Sequence, residues 1–145
     1  MIAPMHARIA NSTLYRLIEA GQLARSALLH PLVNLGLQPG DDAIILSLKK
    51  KKPLSDARLG ALTGLTPYQL QPRLDRLVAL SMIQRLSMDN ERIPATRLTA
   101  RGRQVRRTLR EVWHQLEQAL THDLDPTHQK ILRKTLKRII RLLSL

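Results

Sequence analysis

Apolar residues along this chain recur mostly at steps of three and four, the spacing of one helix face. The most informative stretch runs from Leu54 to Leu80, where the pattern predicts two short helices joined by a tight turn. Ser55 caps the first helix, because its hydroxyl can accept a hydrogen bond from an orphan backbone N–H. Leu59 and Leu62 recur on one of its faces. Gly64 ends it, since glycine takes the left-handed conformation that a helix C-terminus needs. Gly60, four residues earlier, lies on the face where a second helix must cross closely. Leu65 plugs the turn. Thr66 caps the second helix and Pro67 takes its first position, where a missing N–H costs nothing. Leu70, Leu74, Leu77 and Val78 give that helix a buried face, while Tyr68, Pro72 and Arg76 line the other side with Gln69 and Gln71 beside them. This is the layout of a helix-turn-helix, whose second helix can enter a DNA major groove. Two amphipathic helices about a glycine turn also occur as plain core architecture, so the neighbouring elements matter.

Periodicity changes after Ser81. Residues 82–87 alternate apolar and polar in part, as a half-buried strand does, residues 88–92 are polar and turn-like, and residues 93–99 read as a return strand with Pro94 at its edge or start. A hairpin directly after a helix-turn-helix makes a winged helix, with Arg92 at the tip. Arg85 and Arg97 fall on the strands, where solvation is at least as natural as a phosphate contact.

Four more helices flank this centre. Residues 1–11 read as a loose arm. Asn11 or Ser12 then caps a helix to about Leu29, with Leu14, Leu17, Ile18, Gly21, Ala24 and Leu28 in step, and Pro31 is expected to end or bend it. A link from Leu32 to Gln38 leads to Pro39. The acidic pair Asp41 and Asp42 suits the first turn of the next helix, and Lys49–Lys52 suit its C-terminus, both by the helix dipole. Beyond the hairpin, Thr99 caps a helix in which Val105, Leu109, Val112, Leu116 and Ala119 form a heptad-like seam. Asp125 and Pro126 open the last helix, with Ile131, Leu132, Leu136, Ile139, Ile140 and Leu143 on one side and six basic residues on the other. Such seams can pack within the chain, or they can knit a dimer from both ends and present two recognition helices to two half-sites.

Charge sharpens the picture. Lys and Arg number 24 against 11 Asp and Glu, a net charge of +13, which attracts polyanions, nucleic acid first and an anionic membrane surface second. The basic last helix could lie on such a membrane, but its apolar stripe suits packing better. With Trp113, Tyr15 and Tyr68 the only aromatic residues, the core must be aliphatic. There is no cysteine, which excludes disulfides and thiol-based zinc or redox chemistry. The five histidines have no dependable metal-ligand spacing, and neither a phosphate-cradling glycine loop nor a nucleophile elbow occurs. No catalytic residue, metal or cofactor is expected. No export-type cleavage site and no run of about eighteen apolar residues is present, so a soluble cytoplasmic protein is expected.

The order of these elements, with LxGLTPxQLxxRLDRL from Leu62 to Leu77 and the hairpin exit LTARG from Leu98 to Gly102, resembles the MarR-type (multiple-antibiotic-resistance regulator) transcriptional regulators. The resemblance runs from about Leu14 to Leu143. It implies a homodimeric winged-helix repressor or activator, dimerisation through the first and last two helices, and, in many members, release from DNA by a small ligand bound between the arms and the reading head. By the same resemblance Gln69 and Gln71 stand at small polar base or phosphate contacts, Arg76 at a basic position and Arg92 at the wing arginine. Pro72 departs from the pattern, which has a basic residue there. It is expected to kink the helix, with Arg73 supplying the missing charge. Asn90 replaces an aspartate that often pairs with the wing arginine.

The expected fold is therefore mainly α with a small β-hairpin wing: an N-terminal arm and dimerisation helix over 1–38, a winged helix-turn-helix over 39–100, and C-terminal dimerisation helices over 101–145. The expected function is a sequence-specific regulator bound to double-stranded DNA as a homodimer, a repressor released by a small-molecule effector. Ser55, Thr66, Tyr68, Gln69, Gln71, Arg73, Arg76 and Arg92 form the candidate DNA-contacting set. The alternative is a winged-helix protein–protein adaptor that no longer reads DNA, which Pro72 keeps open.

Overall fold

A computed structural model describes residues 5–144. The helices are α1 (Met5–Ala10), α2 (Thr13–Asn34), α3 (Asp41–Ser47), α4 (Asp56–Thr63), α5 (Pro67–Ala79), α6 (Ala100–Thr121) and α7 (Pro126–Leu143). The strands are β1 (Leu54–Ser55), β2 (Ile83–Met88) and β3 (Ile93–Leu98), in the antiparallel order β1-β3-β2. The mainly helical winged helix-turn-helix expected from the sequence is what forms. The chain divides into two compact units within α6, one up to Arg110 and one from Glu111 onward.

The first unit is built on an aliphatic core. Leu28 and Leu32 of α2, Leu37, Ile44 and Ile45 of α3, Leu48, Leu59 of α4, and Leu70, Leu74 and Leu77 of α5 are buried. So are Met82, Ile83, Ala95 and Leu98 around the hairpin, and Val105 and Leu109 of α6. Each large side chain so removed from water contributes about 1.5–3 kcal/mol. The three aromatic residues contribute nothing to this core: Tyr15, Tyr68 and Trp113 are all exposed.

Caps behave as their residue types require. Ser12, Ser55, Thr66 and Asp125 each accept a backbone N–H from three residues further on. Thr99 is the most heavily used: its Oγ1 accepts the Gly102 N–H at 3.0 Å and donates to the Ser81 carbonyl at 2.5 Å, stitching the start of α6 to the turn after α5. Gly102 is required there, because a Cβ would lie 1.8 Å from the Met82 carbonyl oxygen.

Several local expectations are corrected. Residues 5–10 of the supposed loose arm are helical, and residues 1–4 lie outside those described. Pro31 neither ends nor interrupts α2, which continues to Asn34. Leu28 and Leu32 are buried on either side of the proline, and that burial offsets the lost hydrogen bond. Leu62 and Val78, assigned to buried faces, are exposed. The lysine run does not close a helix, since α3 stops at Ser47. Strand β1 was not anticipated, its two residues pairing with Ala95 and Thr96.

In the second unit, Asp125 Oδ1 accepts the His128 N–H at 2.8 Å and Pro126 takes the first position of α7. No residue of α7 is buried, although Ile131, Leu132, Leu136, Ile140 and Leu143 repeat along it.

Candidate nucleic-acid interface

The reading head starts from its turn. Gly64 closes α4 at φ 72°, donating to the Gly60 carbonyl. A Cβ on Gly60 would meet the Leu65 carbonyl at 3.1 Å, so the close approach is to the turn itself rather than to the second helix. Thr66 Oγ1 accepts the Gln69 N–H at 3.2 Å, and Gln69 Oε1 accepts the Thr66 N–H at 3.0 Å. This reciprocal capping box fixes the entry of α5. Ser55 caps α4, accepting the Arg58 N–H at 3.1 Å. Ser55, Thr66 and Gln69, three of the candidate contacts, thus hold helix ends.

Two acids, both essentially fully buried, orient the head from the first turn of α3. Asp41 and Asp42 retain 0% and 1% exposure. Asp41 Oδ1 accepts from Arg73 Nη1 at 3.0 Å and from Arg76 Nη2 at 2.6 Å, while its Oδ2 accepts the Gln38 N–H at 2.8 Å. Arg73 also donates to the Pro39 carbonyl at 2.9 Å. Gly40, at φ 97°, lies beneath its guanidinium, where a Cβ would come within 3.1 Å. Asp42 takes Arg25 of α2 at 3.2 Å through both oxygens.

Arg73 and Arg76 were expected toward DNA; the structure turns both onto Asp41. The reason is angular. Arg73 lies about 100° around the helix from Pro72, at the edge of the buried face, where an uncompensated carboxylate would otherwise be costly. Pro72 does not break α5, which stays helical to Ala79. Its ring deprives the Tyr68 carbonyl of an amide partner.

A second clamp joins wing to head. Arg85 of β2 meets Asp56 of α4 through two bonds, Nη1–Oδ1 at 2.6 Å and Nη2–Oδ2 at 2.8 Å, and its Nη1 also donates to Thr96 Oγ1 at 2.6 Å. Gln71 Nε2 donates to Asp56 Oδ2 at 3.1 Å, so this candidate contact is engaged with the same clamp while staying exposed. The hydrogen bond from Arg85, with its charge, holds the Asp56 carboxyl below the usual carboxylate range against the opposing effect of burial.

What stays open is a short set. Tyr68 is 90% exposed, and Pro72 beside it is exposed. At the wing tip, Asp89, Asn90 and Glu91 take left-handed φ angles of 52°, 56° and 68°, and the Arg92 N–H closes the turn on Met88. The exposed Arg92 side chain makes no hydrogen bond or ion pair among the described residues. A cleft lined by Lys51, Gln84, Arg97, Thr99 and Arg103 gathers three cations and no acid. Arg106 was not singled out by the sequence. Its Nε is buried without a partner, and burial first, then the neighbouring Arg110 charge, lowers its pKa.

Among the described residues, no cluster of three His or acidic side chains could hold a metal, and no helix is long and apolar enough to cross a membrane.

These elements define a winged helix-turn-helix. No protein-family model matches the chain, and no curated protein matches it. Solved structures do. A probable transcriptional regulator from Pseudomonas aeruginosa shares 22% identity over 90% of this chain and 98% of its own, with a TM-score of 0.77. A mutant MarR from E. coli, complexed with operator DNA, shares 23% over 94% and 99%, with a TM-score of 0.76. The PcaV transcriptional regulator from Streptomyces coelicolor, in complex with its natural ligand, shares 18% over 97% and 98%, with a TM-score of 0.79. The chain has the MarR-type winged-helix fold.

Proposed function

We propose that this chain is a homodimeric transcriptional regulator that binds double-stranded DNA in a sequence-specific way. The observation that carries the reading is the capped, outward-facing first turn of α5 beside the free wing Arg92, on a chain of net charge +13. Tyr68 faces the groove in this reading, Thr66 and Gln69 fix the start of the helix that carries it, and Arg92 meets the backbone. Arg73, Arg76 and Gln71 act by holding α5 and the wing in register. The E. coli neighbour bound to operator DNA supports the same use of the fold.

Dimerisation is assigned to α7 with the exposed part of α2. Leu14 and Ile18 on one face of α2 and the apolar positions of α7 lie open at helical spacing, which a second copy would cover. A repressor released by a small anionic effector is the reading that best uses Arg106, a half-buried cation whose Nε has no hydrogen-bond partner among the described residues. The ligand-bound PcaV structure supports an effector. A cytoplasmic location, in association with DNA, goes with this reading.

One observation favours a second reading, a protein–protein adaptor: Tyr68 and Pro72 on the outer line of α5 are an exposed pair of rings, and several polar side chains of the helix are engaged by acids of the same chain. Duplex binding titrated against salt separates the two. A DNA reader loses affinity steeply with salt, log K falling linearly with log salt, and enriches one sequence from a random duplex pool. An adaptor shows neither.

A further inference from the structure

The polar residues that α5 could offer to base edges are largely committed. Gln69 closes the capping box, Gln71 donates to Asp56, and Arg73 and Arg76 are held by Asp41. The line of α5 furthest from the core instead carries Tyr68 and, one turn later, Pro72. We propose that this helix reads thymine, with the Tyr68 ring and the Pro72 ring packing against thymine 5-methyl groups in the major groove. The inference rests on the reading of the chain as a duplex-binding protein.

Thymine presents a methyl beside its O4 in the major groove, whereas the other bases present only donors and acceptors along that edge. An apolar ring against the methyl removes both from water. The same ring against a guanine or cytosine edge would desolvate polar groups without replacing their hydrogen bonds. Both side chains suit the task, because Pro72 has no side-chain freedom to lose and Tyr68 has little. Four helical residues rise about 6 Å, close to two base steps of about 3.4 Å, so the two rings match methyls about two steps apart in each half-site. Asp75, also exposed and three residues beyond Pro72, can only accept, which suits a cytosine amino group rather than thymine. The apolar contact thus belongs to the first turns of the helix, and the net charge of +13 supplies affinity independently of sequence.

The test uses the full chain and a duplex enriched from a random pool, with each thymine replaced in turn by deoxyuridine, which lacks only the methyl. One or two positions per half-site should lose about four-fold in affinity each, the factor for burying one methyl-sized group. Tyr68→Ala should abolish that loss at one of them while leaving the salt slope unchanged, and Tyr68→Phe should retain it. Salt-dependent binding that is indifferent to deoxyuridine everywhere, or a Tyr68→Ala protein that still discriminates, overturns the thymine reading alone. A pool that yields no enriched sequence also overturns it. Absence of salt-dependent binding to any duplex overturns the regulator reading as well, and a protein partner on the same rings becomes the better account.

Discussion

Leu70, Leu74 and Leu77 of α5 and Ile131, Leu132, Leu136 and Ile140 of α7 repeat at the same helical spacing, yet the first three are buried and the last four are exposed. Sequence periodicity alone does not distinguish them. What differs is the neighbourhood each helix is given. The turn chemistry at Gly64 and Thr66 folds α5 back on α4, and the buried acids of α3 then tie it down. Among the described residues, α7 has its own cap and an interhelical turn, with no comparable tertiary polar anchor. A helix with a regular apolar stripe and no buried residue requires an apolar partner to gain from that stripe. The proposed dimer supplies one.

This contrast can be broken in steps. The largest effect falls in the head: Leu74→Ala should destabilise the fold by about 2–5 kcal/mol, read by urea denaturation, and Gly102→Ala should cost about 3 kcal/mol through collision with the Met82 carbonyl. The paired change Leu136→Glu with Ile140→Glu should leave the head's unfolding midpoint at low protein concentration unmoved but abolish self-association at micromolar concentration. Removal of residues 126–145 should do the same by sedimentation. A dimer that survives either change contradicts the assignment of α7.

Asp41→Asn is next. It strips the carboxylate that two arginines share and should cost about 3 kcal/mol. It should also weaken sequence-specific binding more than nonspecific binding, because α5 loses its register while gaining free positive charge. A smaller, pH-dependent effect belongs to Asp56. Its pKa in the folded state is lowered by Arg85. The pair therefore adds stability above the ordinary carboxylate value of about 3.9, and loses it as pH falls through the lowered value. Melting temperatures of the native chain and Asp56→Asn should converge in acid and separate toward neutrality. The smallest effect is that of Arg92→Ala, which should weaken binding to all duplexes alike and reduce the salt slope by about one.

The sequence was most legible where the chemistry is local. Ser55, Thr66, Gly64 and Asp125 act within three or four residues of themselves, so residue type and spacing were enough. The hairpin and its tip were legible from the change of period at Ser81. The fates of Arg73, Arg76 and Arg85 were not. Their acids lie 32, 35 and 29 residues away, and a helical wheel can say that Arg73 stands at the edge of a face but not what waits there. The first-turn position of Asp41 and Asp42 predicts only partners of the helix dipole; the tertiary arrangement makes them the anchors of the head. The expected compensation for Pro72 by Arg73 fails on this point. Strand β1 escaped because two residues carry no periodicity.

Two copies of this chain, joined through α7, are expected to place two α5 helices on one duplex. Sedimentation of the chain with an enriched duplex tests it most directly. Two chains per duplex are expected, and Leu136→Glu with Ile140→Glu should reduce this to one chain per half-site with weaker binding. A single native chain on the duplex, with affinity unchanged when one half-site is removed, would contradict it.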